Sequence, residues 1–161
     1  MRSWSWAALP AGAAALLFAA GMAMAQHHSG HAPGRSAPSD TRVLVAFPPN
    51  LAAHTLASMR DHLHALQEIS EALSLARYDA AGKIAEERLG MSSLRLHGAH
   101  EVASHMPKGM QDAGTAMHRA ASRFAISAQN VFVTGDPKPA LADLSEVMGA
   151  CVGCHAGYRL R

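Results

Sequence analysis

Cysteine is almost missing from this 161-residue chain: Cys151 and Cys154, near the C-terminus, are the only two. A pair three positions apart provides no disulfide framework and only half the ligands of a four-cysteine zinc site. An excess of one charge is missing too. With 14 Lys and Arg against 12 Asp and Glu and no basic run, the chain lacks the electrostatic footprint of a nucleic-acid binder. No H-E-x-x-H, phosphate-cradling glycine loop, activated-nucleophile motif or paired-carboxylate signature occurs, so nothing in the sequence points to an enzyme. A long apolar run is also lacking, because the uncharged stretch from Trp6 to Ala20 is short for a bilayer span.

What is present is "CVGCHAGYR", Cys151 to Arg159. A C-x-x-C pair serves as a redox disulfide, as half of a metal site, or as the attachment point for the two vinyl groups of haem. The first use needs a thioredoxin-like βαβ context, which the surroundings do not supply. The second needs two further ligands at a matching spacing, and there is no second C-x-x-C, only scattered histidines. The third needs a histidine directly after the second cysteine, placed to reach the iron while both thioethers pin the ring. His155 meets that need, so the motif predicts one covalently attached haem c, with His155 as metal ligand.

The N-terminus fits that chemistry. Arg2, the apolar stretch and "AMA" at 23–25 read as a signal peptide over 1–25, which would send the chain to an oxidising, periplasmic space. A Gly-, Ser-, Pro- and His-rich leader is expected over 26–48; its "HHSGH" has the residues to take up copper or zinc, with a solvated tail as the plainer account. The stretch 49–161 then carries helical punctuation. "FPPN" precedes a segment free of Pro and Gly from Leu51 to Asp79, with Asn50 or a neighbour as its cap and Leu56, Met59, Leu63, Leu66, Ser70 and Leu73 as its seam. A second helix is expected to follow Asp79 and run to about His105, with a weak point at Gly90 or Gly98. A third spans about Gly109 to Val133, with Met110, Ala113, Met117, Ala120, Phe124 and Val131 on one stripe. "TGDPKP" opens a fourth, on which Leu141, Leu144, Met148, Cys151, His155 and Tyr158 share a face. The expected fold is all-α: an antiparallel four-helix bundle with its haem in the core.

With a signal peptide, four helices and C-x-x-C-H-x-x-Y-R at the extreme C-terminus, the chain resembles the cytochrome c prime family, the class II c-type cytochromes, and "ARYDAA" at 76–81 is similar to that family's usual start of helix two. The resemblance implies thioethers on Cys151 and Cys154, His155 as proximal ligand, and Arg159 as a basic residue beside the haem. It leaves the other face of the iron open. Low-spin relatives place a methionine from helix one there, and Met59 matches that level to within one residue; this gives an electron-transfer protein with His155 and Met59 as axial ligands. His62, one turn further on, is the rival. A vacant face gives the alternative, a high-spin binder of nitric oxide or carbon monoxide. A His- and Met-rich periplasmic metal carrier is the distant alternative. Met110, Met117 and Met148 read as core, and His54, His64, His97, His100, His105 and His118 as solvated polar faces. Expected partners are redox proteins of a periplasmic or respiratory chain, with no nucleic acid, no membrane span in the mature protein, and a homodimer as one possibility.

Overall fold

Proline and left-handed residues punctuate the helices. In the computed structural model, which describes residues 39–161, strand β1 (Val43–Val45) leads into helix α1 (Pro49–Ser74), whose first position is a proline that needs no N–H partner there. The helix ends where Ala76 takes a positive φ of 54° and the Arg77 N–H reaches back to the Ala72 carbonyl at 2.8 Å. Helix α2 (Tyr78–Arg88), a 3₁₀ turn (Met91–Arg95) and helix α3 (Ala99–Ala103) follow. Helix α4 (Lys108–Thr134) stops at Gly135, whose φ of 68° suits glycine after a helix C-terminus. Helix α5 (Lys138–Gly157) starts between Pro137 and Pro139 and runs into strand β2 (Tyr158–Leu160).

The described residues are therefore predominantly helical. Helix α4 packs against α5 and α2, and α2 against α1. The strands pair in parallel, Val43 opposite Tyr158 and Val45 opposite Leu160, so the segment before α1 is tied to the end of α5. Small residues set the helix spacing: Ala65, Ala72, Ala81, Ala85, Ala121 and Ala128 are buried around Ile69, Phe124 and Val147. Gly82 marks the closest approach, since a Cβ there would lie 2.9 Å from the Ala125 carbonyl oxygen of α4. Arg88 pairs with Asp61 and Glu68, joining α2 to α1 by charge-assisted bonds. No described helix is long and apolar enough to cross a membrane.

Five expectations shift. The second helix is not one rod: it breaks at Leu89–Gly90 and again at Gly98, which sits at a φ of 58°, leaving α2, a 3₁₀ turn and α3 in its place. The buried face of α1 is Leu51, Thr55, His62, Ala65, Ile69 and Ala72, turned from the leucine seam; Leu56 and Leu63 are exposed because close helix packing favours the small residues. On α5 the buried face is Ala140, Leu144 and Val147, with Leu141 and Met148 exposed and His155 at the surface. The α1 cap is Pro48 with no side-chain bond, and Asn50 lies inside the helix. The expected α4 stripe is buried as read, apart from the half-buried Ala113. Val43–Val45, inside the stretch read as leader, is a strand; the signal peptide and the "HHSGH" segment lie outside the described residues.

Candidate cofactor cavity

Strand pairing decides where the end of α5 lies. Asp40 accepts hydrogen bonds from the Arg42 backbone N–H at 3.1 Å and from its Nε at 3.0 Å, which hold its carboxyl down to about 2. The Nη1 of Arg42 then donates to the His155 carbonyl at 3.4 Å, one of the carbonyls left open at a helix C-terminus. Tyr158 presses its hydroxyl on Gly109 at the start of α4, where a side chain would collide with it. Together these contacts anchor the turn that follows Cys154 and His155.

Beside that turn lies a cavity of about 450 Å³, within the range of small-molecule and cofactor sites. Helix α1 lines it with Thr55, Leu56, Ser58, Met59 and His62, α4 with Met110, Met117 and His118, and the chain end with Cys154, His155 and Arg159. Met106 and His97 add to the wall from the connection between α2 and α4. The structure thus brings Cys154, His155, Arg159, Met59 and the rival His62 to one space. Cys151 does not line it; it sits half-buried one turn earlier, packed against the small-residue core. Both thiols are unbonded, and burial raises both pKa values, so they stand as neutral thiols.

The deep wall is polar. His62, His97 and His118 are buried there, with ring centroids 4.5 Å, 6.1 Å and 5.7 Å apart. The Arg88 carbonyl can only accept, so His97 Nε2, 2.9 Å from it, carries the proton. His62 Nε2, 3.2 Å from the same nitrogen, is therefore the unprotonated acceptor. His118 Nδ1 lies 2.7 Å from the Leu89 carbonyl and donates to it. His97 and His118 thus cap the open carbonyls where α2 ends, a role that a reading as solvated polar faces misses. His54, His64, His100 and His105 are exposed as expected. Burial first, then His97 and His118, push the His62 pKa down to about 4, and burial lowers that of His118 as well, so these two rings are uncharged at neutral pH. Among the described residues no three His, Cys, Asp or Glu side chains form a group that would hold a metal ion.

Two buried side-chain polar atoms among the described residues lack a hydrogen-bond partner, Thr55 Oγ1 and Arg159 Nε, and both residues line this cavity. Arg159 Nε lies 3.2 Å from Asp40 Oδ2, close enough for charge attraction without hydrogen-bond alignment. Thr55, His97 and His118 were the residues sequence reasoning passed over. The signal for Thr55 was the small-residue stripe of α1, which it shares with Ala65 and Ala72. For the two histidines no local signal exists, since they meet only through the fold. No family model, no curated protein and no solved structure matches the chain.

Proposed function

We propose that the chain is a periplasmic c-type cytochrome that carries electrons, an antiparallel bundle of α1, α2, α4 and α5 with one haem c in the cavity. The observation that carries this reading is the convergence of Cys154, His155 and Met59, from opposite ends of the described chain, on a single space. The donor set on the wall fits the group, with the Cys154 thiol for one thioether link, an imidazole and a thioether as iron donors, and unpartnered polar donors for a charged rim. Cys151, which would make the second link, sits one turn behind the wall. A bound haem supplies the one-electron couple.

Each residue then has a task. Cys151 and Cys154 attach the ring. His155 is the proximal ligand, on a turn whose carbonyl Arg42 holds. Met59 would hold the iron from the opposite wall, where its thioether would raise the reduction potential relative to a second imidazole. His62 is disfavoured for that place because its Nε2 already faces His97. The mostly apolar wall of Met110, Met117 and Leu56 keeps water from the ring.

The test is an optical spectrum of the exported protein, ferric and then ferrous with carbon monoxide. A low-spin ferric spectrum with a thioether-to-iron band, and slow reaction with carbon monoxide, is expected. In the Cys151→Ala, Cys154→Ala double variant covalent haem should vanish. A normal yield of acid-acetone-resistant haem from that variant would sink the reading.

A further inference from the structure

Thr55 behaves unlike the other threonines described in long helices. A helical threonine ordinarily turns its hydroxyl back on a carbonyl one turn earlier. Thr115 does so to Gln111 at 2.9 Å and Thr134 to Asn130 at 3.1 Å. Thr55 lines the cavity and is only 6% exposed, yet its buried Oγ1 makes no hydrogen bond with the protein. Burying a hydroxyl without a partner is unfavourable, so the site is built for a polar group that comes from outside the chain.

Resting on the cytochrome reading, we infer that Thr55, together with Arg159, holds a propionate carboxylate at the edge of the haem. Position along α1 selects the carboxylate over the iron as the target. With Met59 as the iron donor, Thr55 lies one turn away on the same side, about 6 Å along the axis at 1.5 Å per residue, a displacement that would bring it toward the edge of a bound ring. The polar groups of that rim are its two carboxylates.

Charge selects the same end. His62 is displaced from Met59 in the opposite direction, toward Ala65 and Ile69. His97 and His118 there give a ring N–H to the Arg88 and Leu89 carbonyls, so those donors are already engaged within the chain. Arg159 has five N–H donors in a rigid fork, and its Nε has no hydrogen-bond partner. Asp40, 3.2 Å from that nitrogen, is already neutralised by its bonds to Arg42, which leaves the Arg159 charge largely available.

The experiment compares wild type, Thr55→Val and Thr55→Ser as exported holoproteins. The midpoint potential is measured against pH, and the propionate bending band is recorded by resonance Raman. Valine keeps the shape of threonine and removes the donor. Loss of one hydrogen bond to an ionised carboxylate should raise the acid-side inflection of the potential curve by about one pH unit and shift the Raman band. Thr55→Ser should restore both. Covalent haem with the same inflection and band in Thr55→Val would overturn the inference while leaving the cytochrome reading intact. A change in carbon monoxide affinity with no change in inflection would also overturn it, placing the hydroxyl over the iron instead. Absence of covalent haem from the wild type would remove the cytochrome reading itself. Helical circular dichroism of each variant separates these results from misfolding.

Discussion

At one end of the helical core Ala65, Ile69, Ala85, Phe124, Ala128 and Val147 interlock with almost no exposure, and Gly82 lets two backbones nearly touch. At the other end the same helices stand around a cavity of about 450 Å³ walled by Thr55, Met59, His62 and His118. The contrast follows from residue choice on continuous helices. Small side chains bring the helices close enough to close-pack, while methionines, imidazoles and an unpartnered hydroxyl stand around an open space. One end is filled by its own side chains, and the other is not.

The sharpest way to break this comparison is to damage the closed end alone. Phe124 is fully buried, and Phe124→Ala should cost about 3–5 kcal/mol of unfolding free energy. If the two ends are energetically separate, the same penalty appears in holoprotein and in the Cys151→Ala, Cys154→Ala chain, as expected for distant sites. Urea unfolding of the four combinations measures it. A penalty that disappears without haem would show that the closed end forms only when the open end is filled.

The open end should instead respond to acid. The His62 pKa is lowered from 6.5 to about 4 in the folded chain, so the unfolded chain takes up a proton first as pH falls. The stability that His62 contributes is thus fully present above about pH 6.5 and is lost between there and about pH 4. The shift corresponds to about 3 kcal/mol, and residual solvent access reduces that to about 2 kcal/mol. His118, also lowered mainly by burial, acts with the same sign. His62→Gln should flatten most of the slope in urea midpoints taken from pH 7.5 to 4.5. An unchanged slope would assign it to another group.

The two ends also differ in how much of them can be read along the chain. Helix boundaries come from prolines and glycines acting locally, which is why α4 and α5 begin and end close to where Pro107, Gly135 and Pro137 indicate. The α4 face was legible because Met110, Met117, Phe124 and Val131 recur seven residues apart and are buried, while Phe132, as large but one position off that repeat, is exposed. On α1 the same logic misled: size pointed to Leu56 and Leu63, whereas close approach buries Ala65 and Ala72. Cys154 and His155 stand out by spacing alone, which singles them out before any fold is known, and both line the cavity. His97 and His118 do not, because what places them is two carbonyls exposed when α2 stops, an event set by tertiary packing. The parallel pairing of Val43–Val45 with Tyr158–Leu160 is likewise a long-range match between segments too short to carry a pattern.

The finest test separates shape from chemistry at one residue of the open end. Met59 is half-buried on the cavity wall, and Met59→Leu keeps volume and apolar character, so stability should change by no more than about 1.5 kcal/mol. Any larger consequence must come from the lost thioether. With Met59 as sixth ligand, the variant turns from low-spin to high-spin, loses its thioether-to-iron band, binds carbon monoxide readily and drops in reduction potential. Suppose the wild type already binds carbon monoxide fast and the variant has the same spectrum. Met59 is then wall alone, and the high-spin gas-binding alternative takes its place. A bis-imidazole spectrum that disappears in His62→Ala would move the ligand three residues along α1. It would also mean that His62 gives up its contact with His97 when the cavity is filled, coupling the guest to the histidines that close the end of α2.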